Sequence, residues 1–308
     1  MAEPTMEKVS RLAVVDVGSN TVHLLVAETD GVRLTPLDDE SARLRLGADV
    51  VQQGRITPQK ISETVGVLSQ YVARAKQLGA RKTVLLGTQA VRAAQNGDEL
   101  AARIKDATRL TLDIISPQLE ARLGYLGTTL DCPASGMQLV ADIGGASTQM
   151  LFVDQHGVEH GSCSAAVGSV VLPTRFIRHD PPTTEERQAL EQEVEDRLRE
   201  AQLGGGVTPE GAVLIGGVAR RLRRVARLSA GAPLVRAFVE RLAKVACEVS
   251  ADAMDVLQAC RYEDADMIRS GAIILREVLR LTGMEYCQVS DNGIREGAIL
   301  ALTRGERI

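Results

Sequence analysis

The chain has 308 residues, of which 44% are hydrophobic and 25% charged, and its 36 Lys and Arg against 40 Asp and Glu leave a net charge of −4. This is the composition of a folded chain, long enough for one large domain or two of ordinary size. The acidic balance argues against a general binder of nucleic acid duplexes, and 2% aromatic residues with no Trp argue against base- or sugar-stacking surfaces.

The first ten residues are polar, and the apolar run from Leu12 is cut by Asp16. No signal-peptide pattern and no run of membrane-spanning length follows, so the expectation is a cytoplasmic, soluble protein without a membrane partner. From Arg11, RLAVVDVGSNTVHLLVAETDGV reads as an apolar strand, a D-x-G turn, a second apolar strand, a further turn and a third strand. Thr57-Pro58 is an N-cap followed by a first-turn proline. The spacing of Ile61, Val65, Leu68, Val72 and Leu78 predicts a helix that stops at Gly79. KTVLLG (82–87) and LTLDII (110–115) read as buried strands, each followed by a helical segment.

At Met137 the opening pattern returns as MQLVADIGGASTQMLFVDQHGV. A shift of 126 residues lays Asp16 on Asp142, Gly18 on Gly144, Thr21 on Ser147, Leu25 on Leu151 and Gly31 on Gly157. A long repeat used twice predicts two sister domains, here placed at residues 1–131 and 132–308, with both D-x-G turns at a shared cleft. After the second copy the chain reads as a charged helix from about Thr184 to Leu203, a strand GAVLIGG (211–217) ending in a glycine turn, and mostly helix to Leu281. A last strand, YCQVS (286–290), precedes a helix near Ile294–Leu302 that is expected to pack back on the first domain. Alternating strands and helices define an α/β architecture.

Glycine turns expose backbone N–H groups and let the chain approach an anion closely. Gly18, Ser19 and Asn20 in the first turn, and Gly144, Gly145, Ser147 and Thr148 in the second, are candidate phosphate binders. Two facing cradles suit a substrate with linked phosphates. Asp16 and Asp142 would repel a bare phosphate, which implies a bound cation, and carboxylate plus phosphate oxygens is a setting for Mg²⁺. Glu120 follows Pro117 in a helical stretch, where an acid near the N-terminus ordinarily just stabilises the helix dipole. The run ARRLRRVAR (219–227) puts Arg220, Arg223, Arg224 and Arg227 on one helical face, either a solvated surface or a basic track for a polyanion. His23 lies in an apolar strand and reads as a packed histidine; His156 and His160 flank a turn and form no metal pair. Cys132, Cys163, Cys247, Cys260 and Cys287 are scattered, without a zinc or disulfide pattern.

The motifs DVGSNTVHLLV, TQAVRAAQN (88–96), LEARLGYLG (119–127), DIGGASTQ (142–149) and SDNGIREGAIL (290–300) resemble the exopolyphosphatase / guanosine pentaphosphate phosphatase family of the actin, sugar kinase and heat-shock 70 superfamily. The resemblance covers nearly the whole chain. It implies two ribonuclease H-like (actin-like ATPase) domains flanking a central cleft, in a short form without further C-terminal helical domains, and a homodimer. It also implies a first phosphate loop at Asp16, Gly18, Ser19 and Asn20, a second at Gly144, Gly145, Ser147 and Thr148, and Asp142 as metal ligand. Arg92 would clamp phosphate and Glu120 would be the base that activates water, with Mg²⁺ or another divalent cation as cofactor. Substrates would be inorganic polyphosphate, favouring short chains, or guanosine pentaphosphate. Three positions depart from the family pattern: Leu119 replaces the first of two glutamates, Ala146 a third glycine, and Gln149 a glutamate. The loss at Gln149 leaves a polyphosphate or nucleotide sensor open, and the superfamily leaves open a nucleotide-dependent kinase.

Overall fold

The computed structural model describes residues 9–202, 206–256, 261 and 264–308. β1 (Ser10–Val17), β2 (Thr21–Thr29) and β3 (Leu34–Arg43) form an antiparallel meander. β1 and β2 carry continuous apolar runs because both faces of the sheet are covered. α1 (Leu46–Gln53) and α2 (Pro58–Gln77) lead to β4 (Lys82–Gly87), which pairs parallel with β1. As the sequence predicts, Thr57 caps α2 by accepting from Lys60 N, and Pro58 opens it. α3 (Gln89–Ala93) and α4 (Gly97–Thr108) connect β4 to β5 (Leu112–Ile114), which completes the order β3-β2-β1-β4-β5. α5 (Pro117–Thr128) then leaves this sheet.

The second half repeats the plan. β6 (Gln138–Ile143), β7 (Thr148–Val153) and β8 (Glu159–Ala165) form the meander. α6 (Val171–Phe176) and α7 (Thr184–Glu200) lead to β9 (Gly211–Ile215), parallel to β6. α8 (Gly216–Val225), β10 (Leu234–Val235), α9 (Arg236–Glu248), α10 (Ala251–Val256) and α11 (Ala265–Thr282) precede β11 (Tyr286–Val289) and α12 (Ile294–Thr303). The second order, β8-β7-β6-β9-β11, matches the first strand for strand, with β10 added at its edge. Three antiparallel strands followed by two parallel ones in both halves is the ribonuclease H-like topology of actin-like domains, as expected. Leu203 and Cys260 fall outside the described residues. Cys132, Cys163, Cys247 and Cys287 are free thiols, and no helix among the described residues is long and apolar enough to cross a membrane.

The two halves exchange their last helices. α5 follows the first sheet yet also packs on β6, β7 and β8, and α12 follows the second sheet yet packs on β1 and β2. Leu123 and Leu126 of α5 share a core with Leu12, Val14 and Leu25 of the first sheet and with Ala298 and Ile299 of α12. Where α5 and α12 cross, the backbones touch. A Cβ on Gly297 would overlap Leu123 O, and one on Gly127 would overlap Gly293 O. Gly297→Ala should therefore force the helices apart and destabilise the protein by about 2 kcal/mol or more. Urea unfolding measures this directly, and an unchanged midpoint would contradict the close crossing.

Candidate active site

The two D-x-G turns fold alike. Gly18 N donates to Thr21 O at 3.1 Å, and Gly144 N donates to Ser147 O at 2.9 Å. Each turn is then held from outside by the segment after its meander. Ser19 O accepts from Gly47 N at 2.8 Å, and Gly145 O accepts from Val170 N at 2.8 Å. The turns meet face to face, since a Cβ on Gly145 would lie 3.1 Å from Ser19 Cβ and 3.3 Å from Asn20 N. Between them opens a cavity of about 490 Å³ bordered by Asp16, Gly18, Ser19, Asn20, Asp142, Gly144, Gly145, Ala146 and Ser147. The repeat thus delivers both turns to one cleft.

Glu120 reaches the same cavity from the first turn of α5. Ser116 Oγ accepts from Leu119 N at 3.2 Å and Pro117 starts the helix, which sets the direction of that turn. Leu119 packs into the apolar cluster below, so the departure from the family pattern at this position lies away from the cleft. Arg92 Nη2 donates to Glu120 Oε2 at 3.2 Å and to Gln89 Oε1 at 2.6 Å, and Arg92 Nη1 binds Ile115 O. Arg92 therefore stands behind Glu120 and is not part of the cavity wall. Thr148 is also withdrawn, fully buried with its hydroxyl donating to Val167 O at 2.8 Å. Gln149 is buried behind the second turn, and its Nε2 donates to Ser147 Oγ at 2.6 Å.

Asp16, Asp142 and Glu120 are the carboxyls of this pocket with raised pKa values, and burial dominates each of them. Burial raises Asp16 to about 6, with Arg295 opposing and Glu296 adding to the rise. Burial and then the Asp16 charge raise Asp142 to about 7, against Arg220. Glu120 rises to about 8, through burial first and Asp142 second, although Arg92 pulls it down. Asp16 Oδ1 is buried without a hydrogen-bond partner. Mutually repelling carboxyls, one with an orphaned oxygen, are a donor set that a divalent cation would satisfy. Mg²⁺ uses one or two carboxylates and takes its other oxygens from water and phosphate, so Asp16 and Asp142 fit it. Among the described residues no group of three or more His, Cys, Asp or Glu side chains is gathered to hold a metal.

Around the acids stands a basic wall that sequence reasoning grasped only in part. α8 begins at Gly216, whose φ of +87° and lack of a Cβ let it pass Asp142; a Cβ there would lie 2.6 Å from Asp142 Oδ1. The helix thus points its free N-terminal amides at the cavity. Arg220, Arg221 and Arg224 of α8 line the cleft, whereas Arg223 turns away to pair with Asp291. Part of the arginine run is therefore a cleft wall, and Arg221, which the expected face omitted, belongs to it in place of Arg223 and Arg227. Arg220 has no carboxylate within ion-pair distance among the described residues, only Asp291 O at 3.4 Å. Burial, followed by Arg295, lowers its pKa. Arg295 of α12 lines the cleft while gripping Asp39 at 2.6 and 3.3 Å. Its only signal was its place in SDNGIREGAIL. His23 also borders the cavity, and burial pushes it down to about 3, so it is neutral there.

A cleft between two ribonuclease H-like halves, with paired glycine turns and buried carboxyls ringed by arginines, defines a phosphate-handling protein of the actin-like class. The family model described as the Ppx/GppA phosphatase family matches residues 25–305. Exopolyphosphatase 1 of Mycobacterium leprae is 27% identical over 94% of this chain and 88% of its own length. Exopolyphosphatase 2 of Mycobacterium tuberculosis is 28% identical over 95% of this chain and 98% of its own. A solved structure of the Aquifex aeolicus PPX-GPPA enzyme superposes with a TM-score of 0.80 at 25% identity, covering 96% of this chain and 100% of that one. The chain belongs to the Ppx/GppA phosphatase family and is a phosphoanhydride hydrolase.

Carboxyls with raised native pKa values bind protons more tightly in the folded state than in the unfolded one. Their stabilisation is complete below the ordinary carboxyl value of about 4. It is lost as pH rises through about 6 for Asp16, 7 for Asp142 and 8 for Glu120. With divalent cations chelated, the thermal midpoint should fall between pH 5.5 and 8.5, and Asp16→Asn should flatten that fall. A midpoint rising over this range would contradict the assigned burial.

Proposed function

We propose that this chain releases terminal orthophosphate from inorganic polyphosphate by direct attack of water, with Glu120 as general base. The water oxygen attacks the terminal phosphorus and Glu120 accepts its proton. The anhydride P–O bond breaks, and the shortened chain leaves with the electron pair. The backbone N–H groups of Ser19 and Gly145, together with the amides at the start of α8, are the donors available to the equatorial phosphate oxygens. Arg220 and Arg224 balance the charge of the remaining chain. Arg92 is a positioning residue that holds the Glu120 carboxylate through their hydrogen bond. Asp16 and Asp142 would hold the divalent cation. When bound, it would neutralise phosphate charge and remove the Asp142 repulsion that adds to burial in raising Glu120.

The observation that carries this reading is Glu120 itself, a buried carboxyl raised to about 8 at the wall between two glycine turns. A carboxyl poised near neutral pH is suited to take a proton from water. Polyphosphate is preferred to guanosine pentaphosphate because no Phe, Tyr or Trp among the described residues borders the cavity to stack a guanine. The relatives named as exopolyphosphatases point the same way.

Purified protein should release phosphate from tripolyphosphate only with a divalent cation, and Glu120→Gln should lower kcat by about a hundredfold or more. The KM should change little, because the amide preserves the size of the group. Equal rates in wild type and variant would remove Glu120 from the chemistry. Binding without any phosphate release by the wild type would favour a sensor, and faster release from guanosine pentaphosphate would reverse the substrate order.

A further inference from the structure

Two side chains beside the turn aspartates take no part in the chemistry above, and the repeat relates them. The shift of 126 residues that lays Asp16 on Asp142 also lays His23 on Gln149. In the first sheet Asp16 pairs with His23, and His23 with Ser41, across β1, β2 and β3. In the second sheet Asp142 pairs with Gln149, and Gln149 with Ser164, across β6, β7 and β8. Directly opposed residues of paired strands share a face of the sheet. Each turn aspartate thus has an uncharged polar side chain as its neighbour, since burial keeps His23 neutral.

The two rows differ in what the middle residue does. His23 borders the cavity, whereas Gln149 is buried and spends its amide on the second turn. Gln149 Nε2 donates to Ser147 Oγ at 2.6 Å and to Ser164 Oγ at 3.4 Å. A hydroxyl carries one proton and two lone pairs. With an amide N–H on its oxygen, the Ser147 hydroxyl keeps its own proton to give elsewhere. It donates to no atom among the described residues, and Ser147 borders the cavity. Gln149 Oε1 meanwhile is buried without a partner. Such an orphaned oxygen is costly, and it marks a side chain whose donor is the half in use.

The geometry points to Gln149 as a positioning residue that makes the Ser147 hydroxyl a hydrogen-bond donor to the phosphate held between the two turns. The inference rests on the phosphate-binding reading of the turns and needs no hydrolysis. A carboxylate at position 149 would reverse the bond. An ionised carboxylate only accepts, so Ser147 would donate backwards and present lone pairs to the cleft, which suit a cation and not a phosphate. It would also add a negative charge beside Asp142, which burial and Asp16 already raise to about 7. The amide therefore favours the anion over the cation at the second turn. Gln149, a departure from the family pattern, is thereby a change in what that turn binds.

Calorimetry on the metal-free protein tests this with two probes, tripolyphosphate alone and Mg²⁺ alone. Gln149→Glu should weaken tripolyphosphate binding about tenfold and tighten Mg²⁺ binding by about the same factor. Opposite signs on the two probes do not come from a damaged turn, which weakens both. Gln149→Met keeps the site neutral and removes only the amide. It should weaken tripolyphosphate binding about fivefold and leave Mg²⁺ binding unchanged. In the Ser147→Ala background Gln149→Met should have no further effect, and Ser147→Thr should bind like the wild type. Unchanged or tighter tripolyphosphate binding by Gln149→Met, or an equal loss with and without the Ser147 hydroxyl, would overturn the proposal. Because every readout is binding, a wild type that binds tripolyphosphate but releases no phosphate overturns the hydrolase reading alone. A wild type that binds none overturns this inference as well.

Discussion

The contact between Gly145 and Ser19 brings two aspartates into one desolvated pocket, and the remaining features of the site answer to that constraint. Taking a carboxylate out of water costs several kcal/mol even after relaxation, and a second one beside it adds direct repulsion. Asp16 and Asp142 respond as such groups must, with pKa values displaced upward. The molecule places Arg220 and Arg295 near them and leaves one Asp16 oxygen without a partner. An arrangement incomplete by itself is the physical form of a binding site, and a cation and a phosphate together would make good its deficit.

The exchange of α5 and α12 between the halves is what delivers side chains to that pocket. Each helix leaves its own sheet and buries its apolar residues against the other half or the seam between them. Their first turns therefore lie at the cleft, with Glu120 on one and Arg295 on the other. The glycine crossing of the two helices fixes their spacing closely. Glu120 is thus set by backbone contact about two turns away from it, a stiffer support than a loop offers.

Charge is distributed against the average of the chain. A net charge of −4 conceals arginines gathered from β3, α8 and α12 along one cleft. Many of the balancing acids sit elsewhere, in surface pairs such as Arg197 with Glu193 and Glu200 on α7, which contribute little to stability. Composition argued against a diffuse basic surface, and it was silent about a concentrated one.

Much of the fold was legible because it rests on local signals. The Asp16/Asp142 repeat announced two like turns, Thr57-Pro58 and Gly79 bounded α2, and apolar runs marked β1, β4 and β9. Resemblance to a family pointed to Glu120, which a helix start by itself would have explained as dipole stabilisation. Other features depend on how distant segments meet. Arg92 and Thr148 sit in motifs beside the phosphate turns, yet their polar atoms are taken up by Glu120, Ile115 O and Val167 O. Arg220 and Arg224 look like part of a solvated helical face until β9 aims α8 into the cleft. The sequence by itself determined two acidic glycine turns and the strands that carry them, because turn chemistry and apolar periodicity are written within a few residues. Only the tertiary structure decided that the turns touch and that Asp16, Asp142 and Glu120 face one cleft. Desolvation and charge coupling depend on through-space distance, which neighbours in sequence do not encode.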